Sequence, residues 1–271
     1  MQYKLSIITI NRNNSHGLRK TCLSVATQTF KDFEWIIIDG ASTDDSVDII
    51  KQHSNNISYW VSEPDSGIYN AINKGIKIAT GEYLLFLNSG DYLLHPWTLQ
   101  EVIDEIKTSK DADVYFSDVI TSNYQLHEYN QNVNLDFFIR KGMINHQNCL
   151  IRRKLFNHRL YDEKYQITAD WQFFLRETLE HNITFFHIET KIAVFDIWGI
   201  SNKNSEKRHF EKKCGLMELN IEQKNEKIYS LWGILKMVKY LLPYGFYNLL
   251  KKIKLDILFW KSNKKIHRNL F

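Results

Sequence analysis

The chain has 271 residues, 44% of them hydrophobic, 14% aromatic and 24% charged, and carries a formal net charge of +4. With three prolines and no low-complexity tract, this composition builds a full globular core and excludes disordered and fibrous classes. The charge is uneven: from Lys224 to the end, eleven Lys and Arg face two Asp and Glu, a balance of +9, which leaves −5 to residues 1–223.

The start of the chain runs directly into the apolar LSIITI, without the basic flank, long apolar segment and small-residue cleavage site of a secretory signal. A cytoplasmic protein is therefore expected. Cys22, Cys149 and Cys214 are scattered without paired spacing, which suits a reducing compartment and argues against a disulfide scaffold or a zinc cluster.

KLSIITI (4–10), EWIIID (34–39), ISYWVS (57–62) and EYLLFLN (82–88) read as strands. Between them, residues 16–27, 44–53 and 68–79 read as helices, each opening near a Ser, Asp or Asn that can cap it. Near-continuous apolar strands separated by helices imply a mostly parallel sheet covered on both faces. A helix over 96–108 and a strand VYFSDV (114–119) follow, and residues 120–200 then read as α+β. A helix from Thr168 places Trp171, Phe174, Leu175 and Leu179 on one stripe, with ITFFHI and IAVFDIW as short strands after it. The last stretch, 204–260, reads as helices broken at Pro243 and Gly245. Its cations are interleaved with Trp232, Leu235, Phe246, Leu250, Phe259 and Trp260, and no run reaches the roughly 18 to 20 apolar residues that cross a bilayer. Residues 224–271 are expected to lie on an anionic membrane surface; nucleic acid is not expected, because the acidic half would repel a duplex.

Three successive strands end in carboxylate loops: Asp39 in DGASTDD, Glu63 and Asp65 in SEPDSG, and Asp91 in NSGD. Turn preference explains any one of these, but not an acid every time. In a parallel α/β sheet the strand ends share one side, where a crevice binds ligands. Mg²⁺ or Mn²⁺ takes carboxylate oxygens and bridges phosphates, which makes Asp91 a candidate ligand, expected to face solvent. Asn88 and Ser89 suit sugar or ribose hydroxyls, Gly90 allows close backbone approach to a diphosphate, and Asp39 can accept hydrogen bonds from a base or ribose. Neither G-x-G-x-x-G nor G-x-x-x-x-G-K-[ST] occurs, so a dinucleotide-binding or P-loop enzyme is not expected.

The ordered set LSIITINRN, IIIDGASTDDS, EPDSGIYNAINKGIKIATGEYLLFLNSGD, HQNCLIRRKLF and ITADWQFFLR resembles the family 2 glycosyltransferases over residues 4 to about 200. The resemblance implies the GT-A fold: a three-layer α/β sandwich around a mostly parallel sheet, here with a C-terminal helical extension. It also implies an inverting enzyme that takes a sugar from a nucleoside diphosphate, with a UDP-sugar as the first choice, onto a lipid-linked or polysaccharide acceptor. The expected organisation is a catalytic domain over 1–203, with a nucleotide-sugar half (1–110) and an acceptor half (111–203), then a basic amphipathic extension over 204–271. The Q-x-x-R-W motif of processive synthases is absent, so a non-processive enzyme at the inner membrane face is expected.

On this resemblance Asp170 is the general base, Asp91 the metal-binding end of a D-x-D motif and Asp39 the nucleobase contact. Thr9, Asn11, Arg12, Gly40, Ser42, Asp65, Asn70, Asn73, Lys74, Asn88, Ser89 and Gly90 complete the expected donor site, and His146 and Gln147 are weaker candidates for acceptor or diphosphate contact. The chain departs from the pattern in having Asn88 where the motif has a first carboxylate, and Ala169 before Asp170 where Glu is common. Two rivals remain at this point: a sugar-phosphate nucleotidyltransferase, and a non-catalytic nucleotide-sugar-binding scaffold. An Asp in a first helical turn also stabilises the helix dipole by roughly 0.3 to 1 kcal/mol with no catalysis.

Overall fold

The computed structural model describes residues 3–129, 132–199 and 204–221. The chain divides after Asn220, and the expected membrane-docking segment, 224–271, lies outside the described residues.

A seven-stranded sheet forms the centre of the first unit. Its strands are β1 (Leu5–Asn11), β2 (Phe33–Asp39), β3 (Tyr59–Ser62), β4 (Tyr83–Phe86), β6 (Val114–Ser117), β9 (Cys149–Arg152) and β10 (Phe185–Ile188), in the order β10-β6-β9-β4-β1-β2-β3. β1 runs parallel to β2 and β4, and β2 to β3, while β9 is antiparallel to both its neighbours. β9 carries no turn signal of its own, because HQNCLIRRKLF buries Cys149, Leu150 and Ile151 in a run too short to declare a period. A second sheet orders β5 (Tyr92–Leu93), β11 (Ala193–Phe195), β7 (Val119–Thr121) and β8 (Leu126–His127). VYFSDV therefore divides at Asp118 between two sheets.

β1, β2 and β4 are apolar on both faces because both faces are covered. On one, Leu5, Ile7, Trp35 and Ile37 pack with Leu18, Cys22 and Val25 of α1 (Ser15–Ala26), Ile49 and Ile50 of α2 (Ser46–Gln52), and Leu99, Val102 and Ile103 of α4 (Thr98–Thr108). On the other, α3 (Ile68–Ile78) lies so close that a Cβ on Gly75 would stand 2.5 Å from Ile8 Cγ2. Phe86, on the same face, meets Phe156 and Tyr161, and Phe156 stacks on Phe173 of α6 (Ala169–His181) at 4.5 Å. Layers of helices on each side of a largely parallel sheet are the expected architecture, with one reversed strand set into it.

A short helix, α5 (Leu135–Ile139), and a longer one, α7 (Ser205–Glu218), complete the described elements. The sequence assigns α7 to the extension, yet it packs in the first unit against α6: a Cβ on Gly215 would meet Gln172 and Trp171. Among the described residues no helix is long and apolar enough to cross a membrane.

Candidate active site

The parallel register sets Asn11 beside Asp39 at the strand ends, and Asn11 Nδ2 donates to Asp39 Oδ1 at 2.8 Å. Asp39 is fully buried and also accepts from Ser42 Oγ, Ser62 Oγ and the Ser42 backbone N–H. Its oxygens fix the loop after β2 rather than standing open. Thr9 is likewise buried, its hydroxyl accepting from Trp35 Nε1.

The loop after β4 is held in place by α1. Asn14 caps that helix by accepting from Gly17 N–H, and its amide donates to the Ser89 carbonyl at 3.0 Å. The Thr21 hydroxyl donates to the Asp91 carbonyl at 2.6 Å and accepts from Gly90 N–H. Gly90 has φ of 109°, a region that side-chain-bearing residues rarely adopt, and a Cβ there would lie 2.7 Å from Asp196 Oδ2. The motif glycine is thus required twice, by its backbone and by its neighbour.

These loops wall a cavity of about 530 Å³ lined by Asn11, Arg12, Asn14, Asp65, Asn88, Ser89, Asp91, His146, Gln147 and Asp170, together with Tyr69, Asp196, Trp198 and Arg208. A larger cavity, about 720 Å³, lies by β10 and α5, but none of the strand-end acids or motif residues reaches it. Chemistry belongs to the smaller one.

Asp91 faces this cavity while being 3% exposed, so it is buried and not the solvent-facing ligand expected. Oδ1 accepts from Asp196 N–H at 2.8 Å and Oδ2 from Gln147 Nε2 at 3.5 Å. Burial pushes the Asp91 carboxyl up to about 7, and the adjacent Asp196 carboxylate adds to the rise. Two acids therefore share one end of the cavity, the second supplied by IAVFDIW, whose strand stops at Phe195 and leaves Asp196 in the following turn.

Asp170 sits in the first turn of α6, 3% exposed. Its Oδ1 accepts from Trp171 N–H and lies 2.9 Å from Tyr69 Oη, whose hydrogen goes to the charged oxygen in preference to the Ile167 carbonyl, also at 2.9 Å. Burial and the carboxylate beside it keep that phenol protonated. Oδ2 has His146 Nδ1 at 3.5 Å. The start of α6 is fixed by Glu211 of α7, which accepts from the backbone N–H groups of Gln166, Ile167 and Thr168 and from the Thr168 hydroxyl. Lys212 is buried over the Trp171 ring and donates to the Lys141 carbonyl; burial lowers its ammonium to about 8. Removing Glu211 as Glu211→Ala leaves those donors buried without an acceptor, which is expected to cost about 3 kcal/mol. Chemical denaturation would read this as a lower midpoint, with activity falling as α6 loses its anchor.

Other expected donor-site residues are placed elsewhere. Asn70 and Asn73 donate to the Glu163 carboxylate, with Asn73 also bonding the Tyr161 backbone, and Lys74 pairs with Glu63 at 2.6 Å. They tie α3 to neighbouring loops and do not line the cavity. Gly40 is pressed against Asp65, whose Oδ2 would lie 2.2 Å from a Cβ there, and Ser42 serves Asp39.

The model of "Glycosyl transferase family 2" matches residues 6–181. The chain belongs to this family. Among relatives of this family 2 glycosyltransferase, a PGL/p-HBAD biosynthesis glycosyltransferase of Mycobacterium bovis is 31% identical over 207 residues, 73% of this chain and 80% of the relative. Staphylococcus aureus TarS 1-349 in complex with UDP matches with a TM-score of 0.65 at 20% identity, covering 88% of this chain and 70% of that one. Glucosyl-3-phosphoglycerate synthase of Mycobacterium tuberculosis, in complex with Mn²⁺, UDP and glucosyl-3-phosphoglycerate, matches with a TM-score of 0.56 at 13% identity, covering 84% of each chain. The glycosyltransferase thus has the GT-A fold, with Asp39, Asp91 and Asp170 all inside the matched span.

Proposed function

We propose that this glycosyltransferase moves a hexosyl or N-acetylhexosaminyl group from a nucleoside diphosphate sugar to an acceptor hydroxyl with inversion. The observation that carries this reading is one cavity walled by a carboxylate pair, Asp91 and Asp196, and by a separate carboxylate, Asp170, with one oxygen free of strong partners. The first pair is a hard-oxygen donor set, and the burial of Asp91 beside the Asp196 carboxylate favours a divalent cation over two uncompensated negative charges. Asp91 and Asp196 would hold Mg²⁺ or Mn²⁺, which would supply positive charge to offset the negative charge of a diphosphate. The M. tuberculosis synthase of the same fold is in complex with Mn²⁺ and UDP, which supports a divalent cation together with a nucleotide here.

Arg12 and Arg208 line the cavity as cations for the diphosphate, and Asn11, held by Asp39, borders the nucleoside end. Asp170 Oδ2 takes the proton of the acceptor hydroxyl as its oxygen attacks the anomeric carbon. One C–O bond forms, the bond from that carbon to the diphosphate breaks, and the nucleoside diphosphate leaves. One in-line displacement inverts the centre. A screen of UDP-, GDP- and dTDP-sugars with Mn²⁺ tests the reading: nucleotide release with at least one of them is expected, and none with any would end it.

The acceptor we propose is lipid-linked or polysaccharide, at an anionic membrane, with residues 224–271 as the contact; the +9 charge among aromatic and aliphatic side chains supports it. The whole chain should sediment with anionic vesicles in low salt, and equal sedimentation of a chain ending at Glu222 would remove the tail from this role.

A further inference from the structure

Among the buried polar atoms in the cavity wall that have no hydrogen-bond partner are Nδ1 of His146 and Oδ1 of Asn88. Their side chains meet, with the Asn88 amide nitrogen 3.3 Å from His146 Nε2. His146 is 6% exposed, and its Nδ1 stands 3.5 Å from Asp170 Oδ2, long for a hydrogen bond but with no competing partner. Asn88, His146 and Asp170 thus form a line from the loop after β4 to the start of α6.

The placement of hydrogens follows from what each atom can do. An amide nitrogen only donates, so His146 Nε2 has to accept with its lone pair, which puts the single hydrogen of a neutral ring on Nδ1, aimed at the carboxylate. Turning the amide so that its oxygen accepts from an Nε2 hydrogen would leave the Nδ1 lone pair facing Asp170 Oδ2. In a buried site that contact is repulsive. A doubly protonated ring would satisfy both neighbours, but burial disfavours its charge more than Asp170 favours it.

We propose that Asn88 is a positioning residue that fixes His146 as the neutral Nδ1–H tautomer, and that this hydrogen orients Asp170 Oδ2, the oxygen that receives the acceptor proton. The role given to the hydrogen rests on reading Asp170 as the base. Oδ1 of that carboxylate is already engaged by Tyr69 and Trp171 N–H, so Oδ2 is the oxygen left for chemistry. The proposal accounts for the amide at position 88 in place of a first motif carboxylate. Aspartate there could only accept, so it would require a hydrogen on Nε2 and would either bare Nδ1 or charge the ring.

The test is ¹⁵N nuclear magnetic resonance of the full chain labelled at histidine, with His146 assigned by the signal lost in His146→Gln. Neutral tautomers differ in which ring nitrogen carries the proton, so the spectrum at pH 8 reads the assignment directly. Wild type should show Nδ1–H, and Asn88→Asp should move His146 to Nε2–H or to the doubly protonated form. An Nε2–H ring in wild type, or no change in Asn88→Asp, would overturn the proposal. Wild type alone decides it if that variant does not fold. With an active sugar nucleotide, His146→Gln and Asn88→Leu should each lower kcat about tenfold and the double variant no further, since residues acting as one unit are not additive. Additive losses would also overturn it. The spectrum does not depend on turnover: an Nδ1–H ring in a protein inactive on every donor would refute the glycosyl-transfer reading while upholding the tautomer.

Discussion

Asp170→Asn is expected to lower kcat by roughly 10²- to 10⁴-fold while leaving donor affinity within about twofold, the range that a positioned general base contributes. The separation of the two effects follows from geometry. Asparagine keeps an oxygen at Oδ1 for Tyr69 Oη and Trp171 N–H, so the start of α6 stays as it is. What is lost is the capacity of the second oxygen to hold a proton, and in its place stands an amide directed at His146 Nδ1. Titration calorimetry with the sugar nucleotide, beside single-turnover rates, measures both quantities. A donor affinity that collapses in step with kcat would make Asp170 a binding residue and remove it as base.

Asp91→Asn should abolish metal-dependent turnover and, at the same time, make the metal-free protein more stable above neutral pH. Burial holds the folded carboxyl near 7, far above its ordinary value of 3.8. Between those two values the folded state keeps a proton that the unfolded state has released, so stability from this group falls as pH rises from about 4 to 7 and stays low beyond. The penalty at pH 8 is on the order of a few kcal/mol, because each tenfold gain in proton affinity on folding corresponds to about 1.4 kcal/mol. Asparagine escapes it and can still accept from Asp196 N–H. Thermal unfolding in EDTA should place the variant above wild type at pH 8, with the gap closing towards pH 4. The same proton competes with the cation, so metal affinity should decline below about pH 7. Full activity in EDTA, or a variant less stable than wild type at pH 8, would contradict this account.

The parts of the site that were readable from the sequence are those that local pattern controls. Apolar runs of strand length ending in acids placed Asp39, Asp65 and Asp91 on one side of a sheet, and a helical stripe with an acid in its first turn placed Asp170. The roles of the side chains were less accessible. Asn70, Asn73 and Lys74 share α3 with Tyr69, yet they serve Glu163 and Glu63 while Tyr69 reaches Asp170. Which face of that helix meets the cavity depends on a loop some 90 residues later in the chain. Asp196 was hidden because a strand pattern runs through IAVFDIW, and only the second sheet's pairing ends it at Phe195. Glu211 was hidden for a different reason: three of the four groups it accepts from are backbone amides, which carry no side-chain signal.

Glu211 also bears on how this protein can be divided. The match to the family's model ends at residue 181, but the acceptor for the amides that precede Asp170 lies 30 residues beyond that limit. A chimera that grafts residues 6–181 onto another member's C-terminal portion would join a catalytic helix to a stranger's anchor. A junction placed after α7 is expected to be tolerated and one placed before it to fail, so the folding module is longer than the span that the family model matches.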